Sequence, residues 1–363
     1  MYRAKKNITF LHMVMMLLAV SILSGCTYND AIKDLSSHKT DESYPIAFTN
    51  GVIDNPVRTR AVTLLSDHMN TMGVWGWQNT PESVVERLFL NQEVTFNNLL
   101  GKWVYSPLKY WDLYSDYRFY AYAPHAGSVP GVTASINQTT GAISINGVTL
   151  KGCNTITTGV TQLPANFSGV EDVDWMLDRT GQSLKGIYRS EVVFNMQHIL
   201  SKLCVRIHRS AGFLPDSVIA LSLDSIRIGD FISQGNFTQC MTDNPVLQIP
   251  EWTTIDTIPR YGIESAHNVN AVDSCAVYVL ESLIIPQQVT AGQKIYVWYT
   301  IGNPGEHQDH MYNIYELNNL FSRFESGKNY IINVTIGPDP IKFSSDIQDW
   351  DNQNSIAHEI INN

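Results

Sequence analysis

Apolar and polar residues alternate along most of this chain with the period of two that is typical of β-strands. One run has Leu88 and Leu90 followed by Val94 and Phe96. Another places Tyr117, Phe119, Ala121 and Ala123 opposite Arg118, Tyr120 and Tyr122. Because successive side chains of a strand point to opposite faces of a sheet, these runs predict half-buried strands.

Turn-forming pairs separate the runs and divide the chain into short elements. Pro130-Gly131, Thr140-Gly141 and Asn146-Gly147 are the clearest pairs, and we expect a turn at each. Past about Gly186 a second series of apolar runs begins, at residues 203–207, 221–228, 277–285, 295–301 and 330–336.

One segment departs from this period. Leu317, Leu320, Phe321 and Phe324 have helical spacing and are followed by Gly327, which predicts a short helix or helical turn between strands. Strands and helices do not otherwise alternate, so a parallel α/β fold is excluded. We predict an all-β protein of two tandem antiparallel β-sandwiches with little helix.

The first 25 residues carry a pattern of their own. Arg3, Lys5 and Lys6 precede an apolar stretch from residue 8 to residue 23, and the tetrapeptide Leu-Ser-Gly-Cys ends at Cys26. This arrangement is a bacterial lipobox, in which Cys26 becomes the first mature residue and carries a diacylglyceryl thioether. An ordinary signal peptide or a membrane anchor fits less well, because the apolar run is short for a spanning helix. Thr27 follows where an aspartate would favour the inner membrane, so we expect an outer-membrane lipoprotein.

The same patterns predict the domain organisation. Residues 1–25 form the signal peptide, and the polar residues 26–45 a flexible tether. The two sandwiches occupy residues 46–186 and 187–350, and residues 351–363 form a polar tail.

Charge and composition exclude several functions. The formal charge is −10, and loss of a leader with three basic and no acidic residues makes it −13, so nucleic acid is not expected as a partner. The low charged fraction of 16% and the excess of Tyr and Trp over Phe are typical of an extracellular β-protein. No nucleophile elbow, phosphate loop or dinucleotide motif occurs, so we expect neither an enzyme nor a cofactor. A hydrolase remains a third hypothesis, since carboxylate pairs meet only in space.

Four cysteines remain besides Cys26: Cys153, Cys204, Cys240 and Cys275. They could form two disulfides in any of three pairings. Cys204 lies in an apolar strand pattern and fits equally well as a small buried side chain. The sequence leaves both alternatives open.

Two acidic or histidine-rich segments could bind a metal. His307 and His310 lie beside Glu306 and Asp309, but Asn303-Pro304-Gly305 marks a loop, so a solvated loop is favoured over surface metal capture. Glu171, Asp172 and Asp174 could bind calcium, although a polar turn is the commoner explanation. We therefore predict no metal site.

Aromatic residues are concentrated between residues 103 and 122. Trp103, Tyr110 and Trp111 are candidates for stacking on a sugar. The favoured alternative is that these rings fill the core of a sandwich.

Several stretches resemble the fimbrillin family, the Mfa-like group related to type V pilus subunits, and together they cover nearly the whole mature chain. They include IAFTNG, RTRAVTLL, MGVWGWQN, WVYSPLKYWDLYSDYRFYAYAPH, LDSIRIGDFISQGNFT and GKNYIINVTIGPDPIKFSSDIQDW. The most specific residues are Trp103, Tyr105, Pro107, Tyr110, Trp111, Phe119, Tyr120, Ala121 and Tyr122.

The resemblance implies two transthyretin-like sandwich domains on a lipoprotein precursor that is assembled into fimbriae. In polymerising members an arginine-specific protease removes a strand near the start of the first domain, and a neighbour's strand fills the groove. Here that cut corresponds to Arg58 or Arg60, with Arg60 the better candidate. The C-terminal tail departs from a typical donor strand, because only Ile356, His358 and Ile360 alternate in it.

The resulting hypothesis is a lipid-anchored, non-enzymatic fimbrillin-like protein, a minor, tip or anchor component acting in adhesion and assembly by strand exchange. Its expected partners are outer-membrane lipid, through acylated Cys26, other fimbrial subunits, and host or microbial glycans or proteins. The alternative is a glycan-binding outer-membrane lipoprotein that does not polymerise.

Overall fold

The computed structural model describes residues 40–50, 70–138, 140–150, 172–178, 181–210, 219–240, 250–255, 261–265, 269–270, 277–303, 305–337 and 341–350. Within these ranges the chain is built mostly of β-strands. Regular helix there is limited to 3-10 turns at Ala126–Ser128, Gly186–Tyr188 and Leu317–Asn319. Among the same residues, no helix has the length and apolar character needed to cross a bilayer. The predicted all-β class is confirmed.

The first twelve strands are β1 Thr40–Pro45, β2 Phe48–Asn50, β3 Thr71–Asn79, β4 Val85–Asn97, β5 Lys102–Val104, β6 Tyr110–Asp112, β7 Asp116–Ala123, β8 Thr133–Ile136, β9 Ala142–Thr149, β10 Met176–Asp178, β11 Gln182–Lys185 and β12 Val192–Phe194.

The remaining twelve are β13 Met196–His198, β14 Ser201–Arg209, β15 Leu221–Phe231, β16 Gln234–Cys240, β17 Glu251–Thr254, β18 Tyr261–Ser265, β19 Val269–Asn270, β20 Val277–Ile284, β21 Lys294–Ile301, β22 Asp309–Glu316, β23 Lys328–Ile336 and β24 Lys342–Asp349.

The largest sheet has seven strands in the order β13-β10-β7-β3-β4-β5, with β11 also paired to β7. Strand β7 is buried on both faces. Tyr117 and Phe119 enter one hydrophobic core, which also receives β2, whereas Tyr120 and Tyr122 enter a second, larger core. This sheet therefore separates two cores.

Two further sheets surround the larger core. One has the order β20-β14-β23-β24, and the other has the order β18-β15-β21-β22, with β19 also paired to β15. Strands β14 and β23 run parallel, and β14 presents Leu203, Val205 and Ile207 to the core. The apolar runs of the second half of the sequence thus form the strands expected of them.

Another sheet connects the two halves of the chain. Its order is β17-β16-β9-β8, so strands from before and after residue 186 pair directly. Strands β12 and β13, which follow residue 186, also pair with strands that precede it: β12 with β2, and β13 with β10. The two tandem domains and their boundary at residues 186 and 187 stay a prediction.

The structure tests several local predictions. Pro130-Gly131 and Thr140-Gly141 lie at turns, and one helical turn begins at Leu317, whose carbonyl accepts the Phe321 amide at 3.0 Å. The turn predicted at Asn146-Gly147 is wrong, because both residues lie inside β9, where Gly147 has a φ of +82° and its amide bonds Asn236 across the sheet.

The C-terminal end of the expected tether is also corrected. Residues 40–45 form β1, because their backbone pairs with β6. The lipidation residue Cys26 and the tail 351–363 lie outside the described residues.

Candidate functional site

The segment of residues 46–50, which ends in strand β2, inserts alternate side chains into the smaller core. Ile46 and Phe48 are 1% and 3% exposed, whereas Ala47 between them is exposed. This is the period-two pattern of a strand with one face on a core. The sequence IAFTNG therefore contributes two buried apolar side chains through a very short element.

Phe48 lies at the centre of an aromatic cluster. Its ring stacks on Phe194 at 5.8 Å between centroids, and it meets Phe89 at 5.2 Å, Tyr105 at 5.4 Å and Phe119 at 5.9 Å. All four partners belong to strands or loops that follow residue 70 in the chain. Loss of strand β2 would therefore leave an apolar groove lined by these rings.

Backbone bonds hold the strand along its length. Strand β2 runs parallel to β12, with Phe48 opposite Val192. The Val192 amide donates to the Ala47 carbonyl at 2.9 Å, and the Ile46 amide donates to the Lys109 carbonyl at 2.8 Å. Such main-chain bonds are independent of sequence, so another strand could make them in its place.

A half-buried tyrosine, Tyr105, adds a specific bond to this segment. The Tyr105 hydroxyl donates to the Ile46 carbonyl at 2.8 Å and accepts from the Lys109 amide at 3.2 Å. Burial raises the pKa of Tyr105 to about 12, so the hydroxyl remains a donor at neutral pH.

The predicted processing residues Arg58 and Arg60 lie outside the described residues, between the end of β2 and the start of β3. A cut at either residue would separate β1 and β2 covalently from the rest of the fold. Both arginines thus lie between strand β2, which fills the groove, and the strands that line it.

The aromatic candidates from the sequence do not form one binding surface. Trp111 is 1% exposed, and its ring packs edge-on against Tyr117 at 4.7 Å. The stacking prediction is wrong for Trp111, because core packing covers both faces of its ring. Trp103 and Tyr110 are half-buried on β5 and β6, which belong to different sheets, and Trp103 packs against Phe96.

A different aromatic cluster lies on the outer face of the sheet that contains β21 and β22. Tyr296, Trp298 and Tyr312 have ring planes within 28° of one another and centroids 5.0 to 6.4 Å apart. Tyr312 is 49% exposed, and Trp298 lies directly opposite it in the strand register. We call these three residues the aromatic patch. The alternation of Tyr296 and Trp298 in KIYVWYTI was visible in the sequence, but their cross-strand partner Tyr312 was not.

A polar row continues the aromatic patch along the same strands. Thr300 faces His310 two register positions beyond the Trp298–Tyr312 pair, and its hydroxyl lies 2.7 Å from Asp224 Oδ2 and 2.8 Å from His310 Nδ1. Because the hydroxyl has one hydrogen and gives it to the carboxylate, His310 Nδ1 must be the donor in the second bond. The patch therefore has a fixed polar border.

The residues proposed as metal ligands make other contacts in the structure. His307 lies on an exposed loop with its Nε2 atom 3.2 Å from Asp309 Oδ1, while Asp309 and His310 both belong to β22. Asp174 is buried and pairs with His198 Nδ1 at 2.6 Å. Within the described residues no three His, Cys, Asp or Glu side chains gather as metal ligands would.

The structure describes two of the four remaining cysteines. Cys204 is buried in β14 and its thiol donates to Asn329 Oδ1 at 3.2 Å, as expected of a small buried side chain. Cys240 is exposed at the end of β16. Cys153 and Cys275 lie outside the described residues.

Comparisons with known proteins identify the relatives of this chain. A family model described as fimbrillin-like matches residues 59–350. A fimbrial protein from Bacteroides vulgatus is 14% identical in sequence, with 84% of this chain and 99% of that chain covered and a TM-score of 0.52. A Bacteroides uniformis protein provisionally assigned to cell adhesion is 17% identical, with 85% and 98% covered and a TM-score of 0.44.

The tip fimbrial protein Mfa3 from Porphyromonas gingivalis, solved with a C-terminal truncation, is 10% identical, with 78% and 95% covered and a TM-score of 0.33. At these identities the likeness to solved structures concerns the fold alone. No curated protein matches the chain.

Proposed function

This chain belongs to the fimbrillin-like family, and on that premise we propose that it is a lipid-anchored surface protein that joins a fimbrium by β-strand exchange. The family consists of fimbrial and adhesion proteins rather than enzymes, which places the protein at the cell surface or in a fimbrium. The lipid anchor, the strand exchange and the position in the fibre are the proposed parts.

The anchor rests on the sequence of the leader. Cys26 ends a lipobox, and two or three acyl chains on its mature terminus would hold the protein on the outer membrane nearly permanently. The membrane partner is then the lipid bilayer itself.

Strand exchange is supported by one observation above the others, namely the insertion of Ile46 and Phe48 into the smaller core. These residues precede Arg58 and Arg60 in sequence, yet they contact rings contributed by strands that follow both arginines. A cut after Arg60 would let strands β1 and β2 leave, and the loss of β2 would free a groove with apolar pockets and unpaired backbone groups. A strand from another subunit would bind there by β-augmentation.

The polar C-terminal tail favours a minor, tip or anchor position over a repeating stalk subunit. A donor strand must supply alternating apolar residues to fill such a groove, and the tail has only a short alternation around Ile356. This chain would then accept a strand more readily than donate one.

The experiment compares the mature protein trimmed after Arg60 with untrimmed protein, mixed with other fimbrial subunits. Trimmed protein should form complexes that resist SDS and scatter more light, and a variant with Arg58→Gln and Arg60→Gln should remain uncut and monomeric. If trimmed protein stays free of partners at every concentration, the strand-exchange proposal is wrong.

The aromatic patch favours the alternative function, a glycan-binding surface lipoprotein. Near-parallel rings with a polar border suit the apolar face and the hydroxyl rim of a sugar. Trp298→Ala should abolish retention on neutral oligosaccharides, while Trp103→Ala should not. Equal retention of both variants would remove the patch from consideration.

A further inference from the structure

We infer that a cationic cleft on the seven-stranded sheet binds a carboxylate-bearing saccharide, such as a uronic acid unit of a glycan. The cleft has a volume of about 850 Å³ and lies between the sheet and the turn that joins β8 to β9. It is separate from the aromatic patch and from the groove filled by Phe48. The inference goes beyond the proposed function, because it names a ligand class and needs no strand exchange.

Strand register builds the floor of the cleft. Trp77 on β3 lies opposite Arg87 on β4 and opposite Arg118 on β7, and Arg118 in turn lies opposite Ser183 on β11. Residues directly opposite in antiparallel strands share a face. The indole is therefore flanked on both sides by guanidinium groups.

A second row of side chains extends the floor. Asn79 lies opposite Asp116, which lies opposite Lys185 on β11. The described lining thus has three cations, Arg87, Arg118 and Lys185, against one carboxylate. This is a local reversal of sign in a chain whose formal charge is −10. A positive site on an acidic protein selects an anion from solution.

Neighbouring side chains hold the ring and the cations in place. With its amide oxygen turned toward them, Gln138 accepts from Arg87 Nε at 2.7 Å and from Trp77 Nε1 at 3.1 Å. Arg118 lies over the Tyr120 ring, with its Cζ atom 5.5 Å from the centroid. Gln138 contacts only the Nε atom of Arg87. The two terminal amino groups of Arg87 therefore keep the geometry that pairs with a carboxylate.

The combination of charge and ring favours a saccharide. A guanidinium pairs with the carboxylate through two parallel hydrogen bonds, while a half-buried indole packs against the apolar face of the same sugar ring. The wall of the cleft adds the polar side chains of Asn137, Gln138 and Thr140, which match hydroxyl groups. An acidic peptide would use the cations but would leave Trp77 without a matching flat partner.

The test measures binding of a galacturonic acid trimer to the full mature chain, uncut and monomeric, by titration calorimetry. The control ligand is the same trimer with its carboxyl groups reduced to alcohols. We expect saturable binding of the acidic trimer, at least tenfold weaker binding of the reduced trimer, and loss of affinity with added salt. Because the protein is uncut, failure of strand exchange would not affect this result.

Variants decide whether the cleft is responsible. Arg87→Gln alters an exposed side chain and should fold normally, and it should weaken binding about tenfold, the effect of one charge-assisted pair. Arg118→Gln should do the same, and Trp77→Leu should weaken both acidic and reduced trimers. Lys342→Gln, which removes an exposed cation from a different sheet, should bind as the unmodified protein does.

Three outcomes would overturn the inference. They are equal affinity for the acidic and reduced trimers, unchanged affinity in Arg87→Gln, and binding of a glutamate hexapeptide as tight as that of the acidic trimer.

Discussion

Replacement of Phe48 by alanine tests whether strand β2 is held by its side chains. The ring is 3% exposed and contacts four other aromatic rings, so the truncation leaves a cavity at the centre of the smaller core. Strand β2 has only three residues, and Phe48 is its main buried side chain.

The expected cost follows from burial. Truncation of a buried phenylalanine to alanine destabilises proteins by about 3–5 kcal/mol, from lost transfer energy and the cavity left behind. Phe89 and Phe119 lie on strands β4 and β7, which are each paired on both sides, so these strands can close the cavity only in part, and we expect a loss in this range. Ala47→Ser is the matched control, because Ala47 is exposed and a surface substitution costs less than about 0.5 kcal/mol.

Urea unfolding followed by tryptophan fluorescence measures the difference, since Trp111 lies in the same core as Phe48. Phe48→Ala should lower the midpoint strongly, while Ala47→Ser should leave it unchanged. A loss below about 1 kcal/mol in Phe48→Ala would mean that the strand rests on the core surface, and the groove interpretation would fail.

Three further predictions concern other parts of the molecule. Burial raises the pKa of Tyr105 to about 12, so the stabilisation by its protonated hydroxyl is complete below pH 10 and is lost as the pH rises through 12. Urea unfolding should therefore show that the loss of unfolding free energy in Tyr105→Phe shrinks over that pH range. A loss that stays constant with pH would contradict this. Gly147→Ala should lower the thermal midpoint, because φ is +82° and a Cβ atom would meet the Gly131 carbonyl oxygen, whereas Gly131→Ala has open space and should cost less. Cys26→Ser should release the protein from the membrane fraction, and continued sedimentation of acyl-free protein would refute the anchor.

The sequence predicted the fold class and many strands because many of the strands bury one face. Strand β7 shows the limit of this approach. The alternation of Tyr117 and Phe119 with Arg118 and Tyr120 predicted one polar face, yet Tyr120 is buried in the larger core. Whether a face is covered depends on a second layer, and no local pattern specifies that layer.

Register explains most of what sequence reasoning missed. The aromatic patch and the cationic cleft each combine residues from several strands, and their proximity depends on which strands pair and in what alignment. Trp111 was a candidate for stacking on a sugar, with core filling as the favoured alternative, and the structure places its ring in the smaller core. Asn146-Gly147 has turn chemistry, yet the glycine conformation is used inside β9.

The most direct test of strand exchange is whether the groove takes a strand from solution. A labelled peptide of residues 40–50 is added to protein trimmed after Arg60 and freed of its N-terminal fragment, and fluorescence anisotropy reports binding. We predict saturable binding of one peptide per protein, with the Phe48→Ala peptide at least tenfold weaker. Absence of binding, or equal binding of the two peptides, would contradict the claim that residues 46–50 form a replaceable strand.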